Sequence, residues 1–311
     1  MVTYTQTGQD NLAGVDDALF LKMYGGEVMA SYNAANIMEQ YHRVNTYSSG
    51  KSFQFPKIGR GTAAYWDGSS ELTGLNIASS EIEITLDDLL YHDIYVREID
   101  ELRDHTSKRQ EYARQQGEAL ANTFDQNVLR MGVLASRAAA TITSQSTDAG
   151  TEITDADSNT NGASLAASLF TAATNMDDKF VPAGDRICFV KPAQYYLLAQ
   201  TTDVINKDWN GDGSYSEGLV HRIADIGIQK TTNLPTADDS ANTDIPTKYR
   251  ADYSTITGLV MHPDAVRTAK LLGMTTEMDY KTEHQATHLV AKTFLGSGIG
   301  RPEGAVSIKT A

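Results

Sequence analysis

Hydrophobic and polar positions along this chain switch period several times, and each switch marks an element. Residues 1–17 are polar, with Gly8 and Gly14, and read as a loose arm. From Ala18 to Tyr41 apolar residues recur at helical spacing, and Gly25 and Gly26 interrupt them, which predicts two short helices with a bend between them. Phe53 and Phe55 then alternate with Ser52 and Gln54, while Ile82, Ile84 and Leu86 alternate with Glu81, Glu83 and Thr85. Period two in both stretches predicts two strands, and Pro56 places the first of them at an edge. Between them stand Gly59, Gly61, Gly68 and Gly74 with few large apolar residues, so a long hairpin is expected. An isolated hairpin is marginal in water, which predicts that its aromatic residues Tyr65 and Trp66 rest on another surface.

The strongest period is helical. Tyr112, Gln116, Leu120, Phe124, Val128, Met131 and Leu134 recur at intervals of three and four, after a capping-box pair at Ser107 and Gln110. About thirty residues at ~1.5 Å each make a helix of roughly 45 Å. Gly117 and Gly132 each weaken it by about 1 kcal/mol relative to Ala, so it needs a sheet or another helix along its length. Residues 141–163 are polar and aperiodic, a loop. Then come a helix through SLAASLFTAATNMDDKF, the strand RICFV, and a helix around PAQYYLLAQ. A strand runs into a helix in TGLVMHPDAVRTAKLLG, and a strand-like tail from Met274 is broken at GSGIGRPEG.

Composition narrows the function. The chain has 311 residues, 41% hydrophobic and 21% charged, enough for one large or two interleaved domains. With 26 basic and 40 acidic residues the net charge is −14, which argues against a protein that wraps nucleic acid. Cys188 is the single cysteine, so no intrachain disulfide forms and a reducing compartment is expected. No signal-peptide pattern and no membrane-spanning run is visible, which predicts a soluble cytosolic product.

Candidate chemistry is thin. KDWNGDGSYSEG (207–218) opens like a calcium loop, with Asp208, Asn210, Asp212 and Gly213 in place. Its twelfth position, where a bidentate Glu belongs, is Leu219, so a plain turn is the better reading. His284 and His288 lack the Glu that a zinc-protease helix carries after its first His. No phosphate loop, dinucleotide fingerprint or nucleophile elbow is present, and no catalytic, cofactor or metal residue is assigned.

LFLKMYGGEV (19–28), SSGKSFQFPKIGR (48–60) and AAY (63–65) resemble the major capsid proteins of short-tailed, autographivirus-type bacteriophages. VPAGDRICFV (181–190), GLVMHPDAVRTAKL (258–271) and GIGRPEGAV (298–306) are similar to the same family, in the same order. The likeness thins over 204–252. The resemblance implies an α+β, HK97-like capsid fold. Its parts would be an N-terminal arm (1–47), an extended loop (48–80) and a peripheral domain (81–164) with a spine helix over 107–135. An axial domain (165–273) and a return strand ending in a final axial strand (274–311) would follow. It further implies pentamers and hexamers of an icosahedral head around double-stranded DNA, with scaffolding protein and portal as assembly partners and no membrane. Net acidity would keep the wall from holding packaged DNA. The contact candidates between subunits are Lys51, Phe55, Lys57, Arg60, Tyr65 and Trp66, with at least one of the three cations pairing with a neighbour. Gly25, Gly26, Gly59 and Gly61 are hinge candidates. The alternatives are an encapsulin-like shell around cargo enzymes and a metal-dependent enzyme using Asp208, Asn210 and Asp212.

Overall fold

The computed structural model describes residues 15–69, 71, 74, 76–97, 109–142, 148–201 and 222–311. The arm before residue 15, Ser107 with its capping box, and the Asp208–Asp212 stretch lie outside these. In chain order the elements are α1 (Val15–Ala35), β1 (Arg43–Thr46), β2 (Ser52–Ile58), β3 (Ser79–Thr85), β4 (Leu90–Arg97) and α2 (Arg109–Arg137). They continue with β5 (Thr151–Thr154), α3 (Gly162–Asp178), β6 (Ile187–Val190), α4 (Pro192–Gln200), β7 (Arg222–Ile223) and β8 (Ile226–Lys230). The last four are β9 (Ile256–Met261), β10 (Val266–Lys281), β11 (Ala286–Ile299) and β12 (Ala305–Lys309). No described helix is long and apolar enough to cross a membrane.

The chain divides into two compact units. The first comprises the described residues through Asn36, those of Leu89–Thr123, and Leu272–Phe294. Tyr24, Val28 and Tyr32, each four residues on from the last, form the buried stripe of α1. They pack with Ala113, Leu120 and Ala121 of α2 and with Leu289 and Ala291 of β11. β4 runs antiparallel to β11, from Leu90 opposite Thr293 to Arg97 opposite Ala286. Gln116 is buried in the middle of this core and is fully bonded. Its Oε1 accepts from the Tyr24 hydroxyl at 2.6 Å, and its amide donates to the carbonyls of Leu289 (3.3 Å) and His92 (3.4 Å). Burying an amide is tolerable only on such terms.

The second unit holds Ile37–Asp88, Phe124–Leu271 and Leu295–Ala311. Its six-stranded sheet has the order β5-β12-β9-β6-β8-β7. Leu259 and Met261 of β9 and Phe189 of β6 pack with Phe124, Val128, Leu129 and Met131 of α2. Val260, Cys188 and Val190, on the opposite side of the same strands, pack with Leu165, Leu169 and Met176 of α3 and Leu198 of α4. Helices on both faces require strands that are apolar throughout, and β9 is buried at all six positions. Cys188 lies in this core, where burial pushes its thiol up to about 12, so it is a small hydrophobe rather than a nucleophile. Asp125 carries the other buried charge of note. Its two oxygens accept from the backbone N–H groups of Ile37 (3.0 Å) and Met38 (3.1 Å) and hold the chain after α1 in place.

Four expectations need correction. α1 is one continuous helix through Gly25 and Gly26 and has no bend there. Gly25 serves close packing instead, because a Cβ there would lie 2.6 Å from Thr276 Oγ1. Residues 266–273, expected as a helix, open the strand β10, although Ala, Arg, Lys and Leu favour helix, and from Met274 on β10 is the strand that the pattern predicts. Parallel pairing of Arg43–Thr46 with Arg267–Lys270 outweighs propensities of a few tenths of a kcal/mol per residue. The loop over 141–163 contains β5, whose Thr-Glu-Ile-Thr alternation pairs in parallel with β12. GSGIGRPEG does not open as a turn, since Gly296 and Gly298 lie inside β11 and the break comes after Ile299.

The long helix meets the neighbours its glycines called for. A Cβ at Gly117 would sit 2.6 Å from the Val28 carbonyl oxygen and 2.8 Å from the Tyr32 nitrogen of α1. A Cβ at Gly132 would sit 2.7 Å from Leu259 of the sheet. Gly117→Ala should therefore destabilise the protein by roughly 1–3 kcal/mol despite its better helix propensity. Gly26→Ala, with nothing within 4 Å of the added methyl, should stabilise it by about 0.5–1 kcal/mol. Denaturant unfolding of the two variants checks the opposite signs. A second test is pH. Burial raises the Asp125 carboxyl from its ordinary 3.8 to about 6, against the pull of the Ile37 and Met38 N–H groups. The folded chain thus holds this proton more tightly than the unfolded one, so the group lowers stability as pH rises between those values. Unfolding free energy of Asp125→Asn relative to the parent should climb across that window, and a flat difference would contradict the assignment.

Candidate subunit-contact site

The hairpin of β2 and β3 brings together all six contact candidates. Its ladder runs from Ser52 opposite Thr85 to Ile58 opposite Ser79, and the Gly59 N–H adds one bond to the Ala78 carbonyl at 2.8 Å. Alternation turns Phe53, Phe55 and Lys57 inward together with Ile82 and Ile84. Phe55 and Ile84 pack on Ala269, Tyr47 stacks on Phe53 with centroids 3.8 Å apart, and the Arg267 guanidinium lies 5.2 Å from the Phe55 ring. The glycines of β11 allow this seat. A Cβ at Gly296 would fall 2.4 Å from the Thr85 carbonyl oxygen, and one at Gly298 would fall 2.9 Å from Ile84. Lys248 donates to the Thr85 carbonyl at 2.8 Å and meets Asp87 at 2.6 Å, while Asp87 also accepts from the Tyr249 hydroxyl at 2.6 Å. Burial raises the Asp87 carboxyl even beside Lys248.

Lys57 is the centre of the root. It is 2% exposed, and its ammonium donates to Glu303 at 2.8 Å and to Thr141 at 2.9 Å, with Asp148 at 3.5 Å. Two hydrogen bonds and one longer ion pair surround the ammonium. Its charge is thus met within its own chain. Arg60 is exposed and lies along the surface of its own chain, donating to the carbonyls of Lys179 (3.2 Å) and Phe180 (2.9 Å) with its guanidinium 4.1 Å from the Phe180 ring. Lys51 and Arg60 both stay exposed, and Lys57 alone of the three cations is buried. Glu303 and Asp148 escaped sequence reasoning, since a buried partner 246 residues away leaves no local signal.

Past the ladder the character reverses. Tyr65 is fully exposed, Trp66 is 62% and Ile77 51% exposed, and Ile58, the last residue of β2 in the ladder, is 65% exposed. Gly59 and Gly61 flank Arg60 where the ladder ends, and neither has a positive φ. Among the described residues no group of three or more His, Cys, Asp or Glu side chains is placed to hold a metal. His284 and His288 sit against Tyr95, with His288 stacked on it at 4.2 Å and 3.1 Å from Asp93.

The sequence pattern of the Gp10A-like major capsid proteins matches residues 54–309. The chain belongs to this family. It is a structural subunit of a phage capsid, with the HK97-like fold. The major capsid protein of Enterobacteria phage T3 is 27% identical over 335 aligned residues, which cover 98% of this chain and 95% of that protein. The capsid structure of cyanophage P-SCSP1u is 37% identical with a TM-score of 0.81, covering 89% of this chain and 88% of that one. The mature capsid of bacteriophage PhiM1 is 15% identical with a TM-score of 0.75, covering 100% and 91%, a likeness of fold alone.

Removing the Lys57 ammonium would take from the buried Glu303 and Asp148 carboxylates the cation they share, leaving Arg301 at 3.7 Å from Glu303. Lys57→Ala should lower the unfolding free energy by roughly 3–5 kcal/mol, and Glu303→Gln, which keeps an acceptor, by less. Chemical denaturation of both variants checks the order, and equal small losses would show that the root is not held by this pair.

Proposed function

We propose that copies of this chain assemble into pentamers and hexamers of an icosahedral head enclosing double-stranded DNA, with the hairpin tip seated on a neighbouring copy. In this reading residues 1–47 are the arm, 48–80 the extended loop, 81–164 the peripheral domain and 165–273 the axial domain, with 274–311 returning through both. Scaffolding protein and portal join during assembly in the host cytoplasm, DNA is enclosed without sequence readout, and the subunit performs no catalysis. Membership in a capsid family gives neither the cargo-enclosing compartment nor the metal-dependent enzyme any support.

The observation that carries the reading is the contrast along one hairpin. Its root is buried and charge-matched within the chain, while four large apolar side chains stand exposed on its distal part. Aromatic groups of this kind anchor interface cores. An exposed cluster with a rigid root is the arrangement expected of a surface completed by another molecule. Shell interfaces of obligate type bury over ~2,000 Å², and at ~25 cal/mol per Å² of apolar area such contacts drive assembly.

Tyr65→Ala combined with Trp66→Ala should leave the unfolding midpoint of the unassembled chain unchanged and abolish shells. Electron microscopy and sedimentation of parent and variant check this. Shells of normal number and size from the double variant would refute the tip as an assembly contact.

A further inference from the structure

The turn after α3 is strained at two non-glycine positions, Phe180 with φ 58° and Asp185 with φ 62°. Left-handed backbone in an aromatic residue persists only where surrounding contacts impose it. Four successive carbonyls of this turn are taken by two guanidinium groups. Arg186, buried at 3% exposure, donates to those of Val181 and Pro182 and pairs with Asp177. Arg60 donates to those of Lys179 and Phe180 and covers the Phe180 ring, which is itself 66% exposed. Lys179 ties the turn further, donating to the carbonyls of Ala149 and Gly150. The turn is thus held from within by Arg186 and Lys179, and Arg60 reaches it from the hairpin.

Arg60 stands at a decisive place in that hairpin. The ladder closes at Ile58, the Gly59 N–H makes the bond that follows, and described residues 61–69 are exposed and outside any strand. Arg60 is the first side chain past this end. We propose that Arg60 is a positioning residue. Docked on the Lys179–Phe180 carbonyls and the Phe180 ring, it fixes the direction in which residues 61–69 leave the ladder. Tyr65 and Trp66 are then presented in one pose before any partner arrives. A segment already ordered has less conformational freedom to lose on association. Arg60 does this within its own chain, and its role is readable on the unassembled protein whether or not the assembly reading holds.

The test places nitroxide labels at Ala63→Cys and Ala183→Cys, both exposed positions, in the unassembled full chain; Cys188 is buried and stays unlabelled. Pulsed electron–electron double resonance should give one narrow distance distribution in this background. Arg60→Ala should broaden it about twofold or more while the unfolding midpoint holds, because only the exposed segment gains freedom. Phe180→Leu, which keeps both carbonyl bonds, should broaden it less. The combined variant should be no broader than Arg60→Ala alone, since both substitutions remove one contact. A distribution as narrow in Arg60→Ala as in its parent would overturn the proposal. So would broadening that appears only together with a lowered midpoint in both single variants.

Discussion

A lysine ammonium with 2% exposure is the constraint on which the hairpin depends. An ammonium taken out of water is costly unless it is paired and hydrogen-bonded, and Lys57 donates to Glu303 and Thr141 and pairs with Asp148 at 3.5 Å. These partners come from two distant parts of the chain, so satisfying one side chain draws the root of β2 and β3 against the turn before β12 and the segment before β5. Apolar contacts of Phe55 and Ile84 add area to the same root, but area alone would tolerate sliding. A charge that must meet its partners does not, and it specifies one register of the hairpin on its support. The exposed apolar residues of the hairpin lie at the end of the ladder and beyond it, from Ile58 onward, past the reach of this anchor.

Glycine in this chain does a different task from the one its pattern suggests. Pairs and clusters of glycine read naturally as bends. Yet Gly25, Gly117 and Gly132 lie within continuous helices, and Gly296 and Gly298 lie within a strand. Each marks a place where another element passes so close that a methyl group would overlap it. Left-handed backbone occurs instead at Gly50, Gly68 and Gly74, all in or next to the hairpin. The distinction between glycine for approach and glycine for turning is invisible in one sequence, because both leave the same letter.

Other features were legible wherever a local pattern and the tertiary structure agree. The alternation of Phe53, Phe55, Ile82 and Ile84 foretold the hairpin, and the three-four spacing from Tyr112 to Leu134 foretold the long helix. Its two glycines foretold close neighbours, which α1 and β9 supply. Legibility failed where partners are remote. Residues 266–273 carry helix-favouring side chains, and pairing across the sheet makes them the start of a strand. Lys57 looked like a surface cation, because Glu303 does not stand near it in the chain. The exposed pair Tyr65 and Trp66 was readable by the opposite logic, since glycine-rich surroundings offered nothing local to bury them.

Fixed at one end and unburied at the other, the hairpin has an apolar surface that one copy of the chain does not complete. Hydroxyl-radical footprinting of Tyr65 and Trp66, compared between unassembled protein and purified shells, measures that directly. Strong oxidation of both side chains in the free protein and marked protection in the shell is the predicted result. Equal oxidation in the two states would contradict the claim that sister copies cover this surface.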